Sequence, residues 1–340
     1  MNKFYLKNNY FHYYIMKIAF LSNKLTLRGT EVCIYDYADY NEKILNNESI
    51  IITRPFEYVK IHSPMDVHPQ AYKKFQDRFQ IEYYINPNEI NEIIRKNNID
   101  ILFIEKAGSP NDGLVFNTCK TIIHCVFDTI YPHGTLYTSI SDTLNKIHNT
   151  TIPVLPYMVA VHPTTENLRK ELNIPETATV FGTYSGADCF NIDYIRQIVI
   201  DIGNNPNFSN IYFIFMNINK FCQENDRIRF LPGTSNMEMK RKFINTCDAM
   251  LYGRDGGETF GLCCGEFSLC NKPIIARPGE HSWAHEDILG DCMIKQSNYN
   301  ELYNILTNWS KYNKDVSNNG YKKYTPETVM NNFKYWLDRI

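Results

Sequence analysis

The stretch from Asp248 to Ala276 reads DAMLYGRDGGETFGLCCGEFSLCNKPIIA, and it decides the fold that the sequence predicts. It begins with a short apolar strand, passes through a glycine-rich turn into a helix-like segment, and ends on a second apolar strand, PIIA. Folds of the α/β class bind phosphate at such turns, because backbone N–H groups at a helix N-terminus point at the anion. The stretch therefore predicts an α/β protein with an anion site at this turn.

Two glutamates, Glu258 and Glu266, flank the turn and lie eight residues apart. On one continuous helix, eight residues rotate the chain by about 800°, so the two side chains would differ in direction by roughly 80°. They can face one ligand if Glu258 lies in the turn and Glu266 lies about one turn inside the helix. Carboxylates accept hydrogen bonds from vicinal hydroxyls, so this pair beside phosphate-binding amides predicts a sugar-nucleotide site.

Length and charge limit the classes of protein to consider. The 340 residues suffice for two domains with separate cores, and a formal net charge of −2 argues against a nucleic-acid partner. No apolar run approaches the roughly 18–20 residues of a membrane span, so we expect no transmembrane segment, although peripheral membrane contact stays open. Residues 1–15 precede a second methionine, Met16, and resemble no signal peptide. We interpret them as an extension of an unsecreted, cytoplasmic protein, in the host cytoplasm if its origin is viral.

The ten cysteines have irregular spacings and include no CxxC pair. Zinc ligands in structural sites commonly come in such closely spaced pairs, so the sequence predicts no structural zinc site. Several cysteines lie in apolar patterns, where a reduced thiol behaves as a small buried hydrophobic group. We therefore expect reduced thiols and no metal.

Apolar strand-like runs alternate with helical patterns along the whole chain, which predicts parallel sheets covered by helices on both faces. A stretch with prolines, Pro153–Pro163, interrupts this alternation and is interpreted as a linker. The chain then divides into an N-terminal domain, residues 1–157, and a C-terminal domain, residues 158–340. The predicted strands are Met16–Ser22, Ser49–Thr53, Ile81–Ile85, Ile101–Glu105, Thr121–Phe127, 177–186, Ile211–Met216, Arg229–Pro232 and Cys292–Lys295.

With both halves considered, the chain resembles the retaining family-4 glycosyltransferases of the GT-B fold. Glu258-Thr-Phe-Gly-Leu and Glu266, followed by K-P-I-I-A, match the E-x7-E signature of that family, and IIHCVFD, PHG and ISDTLNK resemble the end of its N-terminal domain. The likeness covers most of residues 16–340. It implies two Rossmann-like domains whose parallel sheets face each other across a cleft, with a C-terminal helix that can pack back on the N-terminal domain.

The resemblance also implies a function. A sugar would pass from a nucleotide-sugar donor, held mainly by the C-terminal domain, to a hydroxyl acceptor (a glycan, a lipid or a small molecule) on the N-terminal side, with retention and without a metal. The donor is a co-substrate, and no cofactor is expected. Glu258 matches the glutamate that contacts the donor sugar, Glu266 the one that holds the ribose, and His124 the active-site histidine. The implied catalytic residues are His124 and Glu258, and the implied donor-binding residues are Gly29, Thr30, Gly182, Thr183, Arg254, Gly257, Glu258, Thr259, Phe260, Gly261, Leu262 and Glu266.

The chain departs from the family pattern where a cation should face the leaving diphosphate. The family has an arginine just after the glycine of the first strand of the second domain and a lysine shortly after it, whereas Gly182 is followed here by Thr183 and no nearby cation. A phosphate leaving group needs positive charge or hydrogen-bond donors as its charge develops. Arg254 and Lys220 are the substitutes that the sequence offers, and we select Arg254.

Two other functions stay open. A sugar-nucleotide-binding or scaffold protein without turnover would be consistent with the missing cation. A nucleotide-sugar epimerase could use the same architecture. A nicotinamide dehydrogenase is disfavoured, because the first turn after a strand, SNKLTLRGTE, lacks the GxGxxG motif.

Overall fold

A computed structural model describes residues 15–64, 67–279 and 283–340. Of the residues interpreted as an N-terminal extension, only Ile15 falls within these ranges.

The first half of the chain forms a six-stranded sheet in which every strand pairs in parallel with its neighbours, in the order β3-β2-β1-β4-β5-β6. The chain starts in the middle of the sheet, winds to one edge and then returns to build the other, which is the doubly wound arrangement. The strands are β1 (Lys17–Leu21), β2 (Glu48–Thr53), β3 (Gln80–Tyr83), β4 (Ile101–Lys106), β5 (Lys120–Cys125) and β6 (Leu136–Ser139), and the helices are α1 (Gly29–Lys43), α2 (Phe56–His62), α3 (Pro69–Gln76), α4 (Glu89–Asn97) and α5 (Asp142–His148).

The second half repeats this architecture with a parallel sheet in the order β12-β11-β10-β7-β8-β9. Three of its strands, Ile211–Met216, Ala249–Leu251 and Ile274–Ala276, are continuous apolar runs, which is typical of a parallel sheet covered by helices on both faces. Its strands are β7 (Thr179–Tyr184), β8 (Ile211–Met216), β9 (Ile228–Leu231), β10 (Ala249–Leu251), β11 (Ile274–Ala276) and β12 (Met293–Lys295), and its helices are α6 (Asp193–Asn204), α7 (Met237–Thr246), α8 (Leu262–Leu269), α9 (Ala284–Leu289), α10 (Tyr299–Thr307) and α11 (Pro326–Leu337).

Helix α11 belongs to the second half in sequence but packs on the first half. The Phe333 ring lies against Tyr37, at a centroid distance of 5.2 Å, and against Phe103, at 5.9 Å. The side-chain amide of Asn332 donates a hydrogen bond to the carbonyl of Val154 at 2.8 Å. The expectation that a C-terminal helix packs back on the N-terminal domain is therefore confirmed.

The chain passes from one sheet to the other between Val154, which still bridges to Ser139 of β6, and Thr179, where β7 begins. The division placed after residue 157 falls in this segment and stays a prediction. Across the described ranges, no helix has the length and apolar composition that a membrane span requires.

Candidate functional site

A cleft lies between the two halves, at the carboxyl ends of the central strands of both sheets, where ligands bind in open α/β sheets. Its volume is about 600 Å³, within the range of roughly 300–1,000 Å³ typical of small-molecule sites. The first half contributes the start of α1, the loop after β5 and Tyr157, and the second half contributes the loops after β7 and β10 and the start of α8. Ten of the twelve residues that the sequence assigned to a donor site line this cleft.

The loop between β10 and α8 requires glycine at two positions. Gly257 has φ of 61°, and a Cβ there would overlap the ring of Trp283. Gly261 has φ of 83° and immediately precedes α8, and a Cβ there would lie 2.8 Å from the Tyr321 hydroxyl. Left-handed backbone of this kind favours glycine. The turn brings Thr259, Phe260 and Leu262 to the cleft wall, with the N-terminus of α8 beside them.

Glu258 lies in this turn and faces the cleft with 16% of its side chain exposed. Its Oε2 accepts a hydrogen bond from Arg254 Nη1 at 3.0 Å, and its Oε1 accepts one from the Tyr252 hydroxyl at 3.3 Å. Desolvation in the cleft raises the pKa of Glu258, while the Arg254 charge and the two hydrogen bonds act in the opposite direction. Arg254 thus opposes the effect of burial on the pKa of this cleft carboxylate.

Glu266 lies inside α8, is only 2% exposed and lines the same cleft as Glu258. Its Oε2 accepts a hydrogen bond from the hydroxyl of Tyr184, the last residue of β7. The structure therefore has one glutamate in the turn and the other inside the helix, which is the arrangement that lets both face a single ligand.

Two residues assigned to the donor site lie in the sheet and do not line the cleft. Gly182 is in the middle of β7, and a Cβ there would lie 2.6 Å from Cys247 Sγ and 2.8 Å from the Ile214 side chain. Thr183 is 3% exposed. Both lie away from the cleft wall because β7 continues through Tyr184, and the wall is formed by Tyr184, Ser185 and Gly186. Their assignment to donor binding stays a prediction.

His124 is also absent from the cleft wall. Its side chain is fully buried, with the ring nitrogen Nε2 2.7 Å from the carbonyl oxygen of Leu155. The side chain lies among the rings of Tyr37, Phe103 and Tyr157, and the cleft wall beyond β5 is formed by Val126 and Phe127. His124 therefore does not line the cleft in this structure, because Val126 and Phe127, which follow the end of β5 at Cys125, form the wall instead. Its contact with a donor sugar stays a prediction.

Positive charge at the cleft comes from both halves. Arg254 lines the cleft, as we expected, whereas Lys220 is exposed, pairs with Glu224 and does not line it. The sequence did not indicate Arg28, which precedes Gly29 and Thr30 at the start of α1; all three residues line the cleft. Arg28 Nη2 lies 3.5 Å from Asp188 Oδ1, so a cation of the first half reaches the β7 loop that lacks its own.

Aromatic residues complete the cleft, and sequence reasoning missed them. Tyr157 lies in the segment interpreted only as a linker, and its ring is 5.5 Å from that of Phe260 across the junction of the two halves. Trp283 lines the cleft over Gly257.

No protein-family model and no curated protein sequence matches the chain. Solved structures do match it. HepE of Anabaena, solved in complex with UDP-glucose, aligns with a TM-score of 0.71 at 15% identity and covers 96% of this chain and 100% of HepE. A glycosyltransferase of Rickettsia africae aligns at 0.65 with 14% identity, covering 96% and 98%. A proposed UDP-N-acetylglucosamine 2-epimerase of Listeria monocytogenes aligns at 0.56 with 11% identity, covering 96% and 98%.

These likenesses extend over both halves of the chain and include the way the two sheets are placed. The chain therefore has the GT-B fold, as the sequence predicted. This fold is found in a glycosyltransferase and also in a proposed epimerase. The fold alone therefore does not distinguish the two activities, and the argument for one of them depends on the residues of the cleft.

Proposed function

We propose that this protein is a retaining glycosyltransferase that moves a sugar from a nucleotide-sugar donor to a hydroxyl acceptor, without a metal at the donor phosphates. The observation that carries the proposal is the joint placement of Glu258 and Glu266 on one cleft, either side of a turn with two left-handed glycines that ends at the start of α8. The complex of HepE with UDP-glucose supports a uridine nucleotide as donor. We place the activity in the cytoplasm.

Each part of the donor has a counterpart in the cleft. Glu266 would accept hydrogen bonds from the ribose hydroxyls, and Glu258 would accept them from the transferred sugar. The diphosphate would lie on the N-terminus of α8, where backbone N–H groups and the helix dipole favour an anion. Arg28 and Arg254 would balance the charge that grows on the departing diphosphate.

The acceptor would approach along the first-half wall formed by Val126, Phe127 and Tyr157. Its hydroxyl would attack the anomeric carbon on the face from which the diphosphate leaves and give its proton to the departing phosphate oxygen. This same-face substitution forms one C–O bond, breaks another and retains the configuration. The protein contributes positioning and charge stabilisation, which suffice for a large part of catalysis.

A thermal-shift comparison of UDP-, GDP-, ADP- and dTDP-sugars tests the donor site. A donor at 100 times its Kd stabilises the folded state by about 2.7 kcal/mol, so the melting temperature should rise by several degrees with UDP-sugars. Donor identity then directs the choice of acceptors. If no nucleotide sugar raises the melting temperature, the proposed function is wrong.

The fold of the Listeria protein favours an epimerase as the second candidate. Product analysis separates the two. An epimerase converts its nucleotide sugar to the epimer when no acceptor is present, whereas a transferase leaves the sugar configuration unchanged and forms a glycoside only with an acceptor. A protein that binds the donor tightly, with neither product, would instead be a binding or scaffold protein.

Arg28→Gln is expected to lower kcat for transfer by about 10- to 100-fold, because a charged hydrogen bond contributes roughly 1.5–3 kcal/mol and this one would strengthen as the diphosphate leaves. Steady-state kinetics with a UDP-sugar measure the effect. Lys220→Gln is the matched control, since Lys220 is a cation outside the cleft. Equal rates for both variants would exclude Arg28 from the reaction.

Arg254→Gln is expected to move the acid limb of the pH profile of kcat/KM to higher pH. Burial raises the pKa of Glu258 and Arg254 opposes it, so removal of the cation leaves burial less opposed and the carboxylate takes up its proton at a higher pH. Activity then falls earlier as the pH decreases. An unchanged acid limb would show that ionised Glu258 is not the limiting group.

A further inference from the structure

A cluster of three potential metal ligands lies inside the first half, beneath the cleft. It consists of Cys33 on α1, Glu105 on β4 and His124 on β5, whose ligating atoms all lie within 4.8 Å of one another. Cys33 is 2% exposed and His124 is fully buried, and only 3% of the Glu105 side chain is exposed. Three elements that are distant in sequence thus bring a thiol, a carboxylate and an imidazole to one buried point.

The hydrogen bonds of the cluster leave two acceptor atoms directed at each other. His124 Nε2 donates to the carbonyl of Leu155, which can only accept, so the hydrogen of a neutral ring is on Nε2 and Nδ1 carries a lone pair. Glu105 Oε1 accepts a hydrogen bond from the Tyr157 hydroxyl. The remaining atoms, His124 Nδ1 and Glu105 Oε2, lie 3.9 Å apart, and neither has a hydrogen-bond partner.

Two buried acceptors that face each other are unfavourable unless positive charge lies between them. We propose that Cys33, Glu105 and His124 bind one zinc ion. Thiolate, imidazole and carboxylate are the ligands that zinc takes in proteins, at about 2.3 Å for sulfur and about 2.0–2.2 Å for nitrogen and oxygen. Ligand atoms around a tetrahedral zinc are then about 3.3–3.8 Å apart, so a contraction of the cluster by about 1 Å would bring the three side chains to these distances, with a water molecule as the fourth ligand.

Charge and outer hydrogen bonds favour this assignment. A thiolate and a carboxylate together cancel the 2+ charge of zinc, so the occupied site is neutral and its burial costs less than that of an unpaired charge. Metal-bound histidines almost always donate their other ring N–H to a carbonyl or carboxylate, and metal-bound carboxylates are themselves hydrogen-bonded. The contacts of His124 with Leu155 and of Glu105 with Tyr157 have this form.

The ion would stabilise the cleft wall and take no part in transfer. The Tyr157 hydroxyl contacts Glu105, while the Tyr157 ring lines the cleft against Phe260. Zinc bound at Glu105 would therefore fix the position of Tyr157. The sequence has no closely spaced cysteine pair that would predict such a site, because each ligand comes from a different element of the fold.

The alternative occupant is a proton shared by His124 and Glu105, in which case Cys33 binds no metal. Metal analysis by mass spectrometry of untagged protein, purified without chelators, separates the two. We expect about one zinc per chain, and X-ray absorption at the zinc edge should show one sulfur together with nitrogen and oxygen ligands. Protein that holds no zinc and takes up none when it is supplied, or a zinc shell without sulfur, would overturn the proposal.

The zinc content of variants that lack one ligand tests where the ion binds. Cys33→Ala and His124→Gln should each lose the zinc, whereas Cys247→Ala, which removes an equally buried thiol of the second half, should retain it. Zinc that persists in Cys33→Ala would contradict the assignment. If the two variants do not fold, removal of zinc from the unmodified protein decides: the melting temperature should fall and recover with Zn²⁺ but not with Mg²⁺. Since donor binding is measured separately, this result stands or fails independently of the proposed function.

Discussion

Glu258→Gln is expected to lower the transfer rate from a nucleotide sugar by about 100- to 1,000-fold, the loss typical of removing one preorganised group that stabilises a transition state. The substitution keeps the shape of the side chain but removes its charge. The neutral amide binds donor-sugar hydroxyls more weakly and also leaves Arg254 without the carboxylate that it contacts at 3.0 Å. Both effects act where the anomeric carbon would react.

The nucleotide should still bind to this variant. In the proposed function, Glu266 and the start of α8 would hold the other end of the donor, so the Kd for UDP should change by no more than a few-fold. Calorimetric titration with UDP and steady-state kinetics measure the two effects separately. Glu238→Gln is the control, because Glu238 pairs with Arg241 on α7 and does not line the cleft. A Glu258→Gln protein with the rate of this control would remove Glu258 from the proposed mechanism.

Gly257→Ala is expected to weaken UDP-sugar binding by at least about ten-fold and to lower the melting temperature. Its φ of 61° is unfavourable for alanine, and the added Cβ would overlap the Trp283 ring. Backbone strain of this kind costs about 1–3 kcal/mol, and the clash adds to it. The turn can accommodate the methyl group only by moving away from Trp283, which displaces Glu258 next to it in sequence.

The neighbouring glycine supplies a close control. Gly256 also lines the cleft, but its φ is not positive, and a Cβ there would meet only Arg254 Nε at 4.0 Å. Gly256→Ala should therefore bind UDP-sugars almost as the unmodified protein does. Thermal-shift titrations of the two variants side by side provide the measurement. Similar affinities for both would show that the Gly257 conformation does not support the donor site.

The sequence predicted the fold well where strands are long apolar runs. The run Ile211–Met216 is β8 to the residue, and the other predicted strands lie within a few residues of observed ones. The strand β6 was not predicted. The four residues of β6, LYTS, show no alternation of their own, and their strand conformation depends on pairing with β5. Short elements that are defined by their neighbours leave little local pattern.

The candidate site divides in the same way. The turn with Glu258 and Glu266 was predictable, because its glycines, flanking strands and helix are contiguous in sequence. That His124, Gly182 and Thr183 do not line the cleft could not be predicted, because their exposure depends on which residue ends a strand. Whether Arg28 and Tyr157 line the cleft depends on how the two halves approach each other. No local sequence pattern encodes that arrangement. The structure therefore adds the ends of β5 and β7 and the placement of the two halves, neither of which a local sequence pattern predicted.

The return of α11 to the first half has a consequence for the order in which the protein matures during synthesis. The backbone N–H of Val159 donates to the carbonyl of Tyr324, so the outgoing and returning segments contact each other where the chain crosses between the halves. A nascent chain generally folds domain by domain from its N-terminus. Here Tyr37 and Phe103 gain their contacts with Phe333 only after all strands of the second half have been synthesised. We therefore expect the first half to become resistant to proteolysis only after residues 326–337 have emerged.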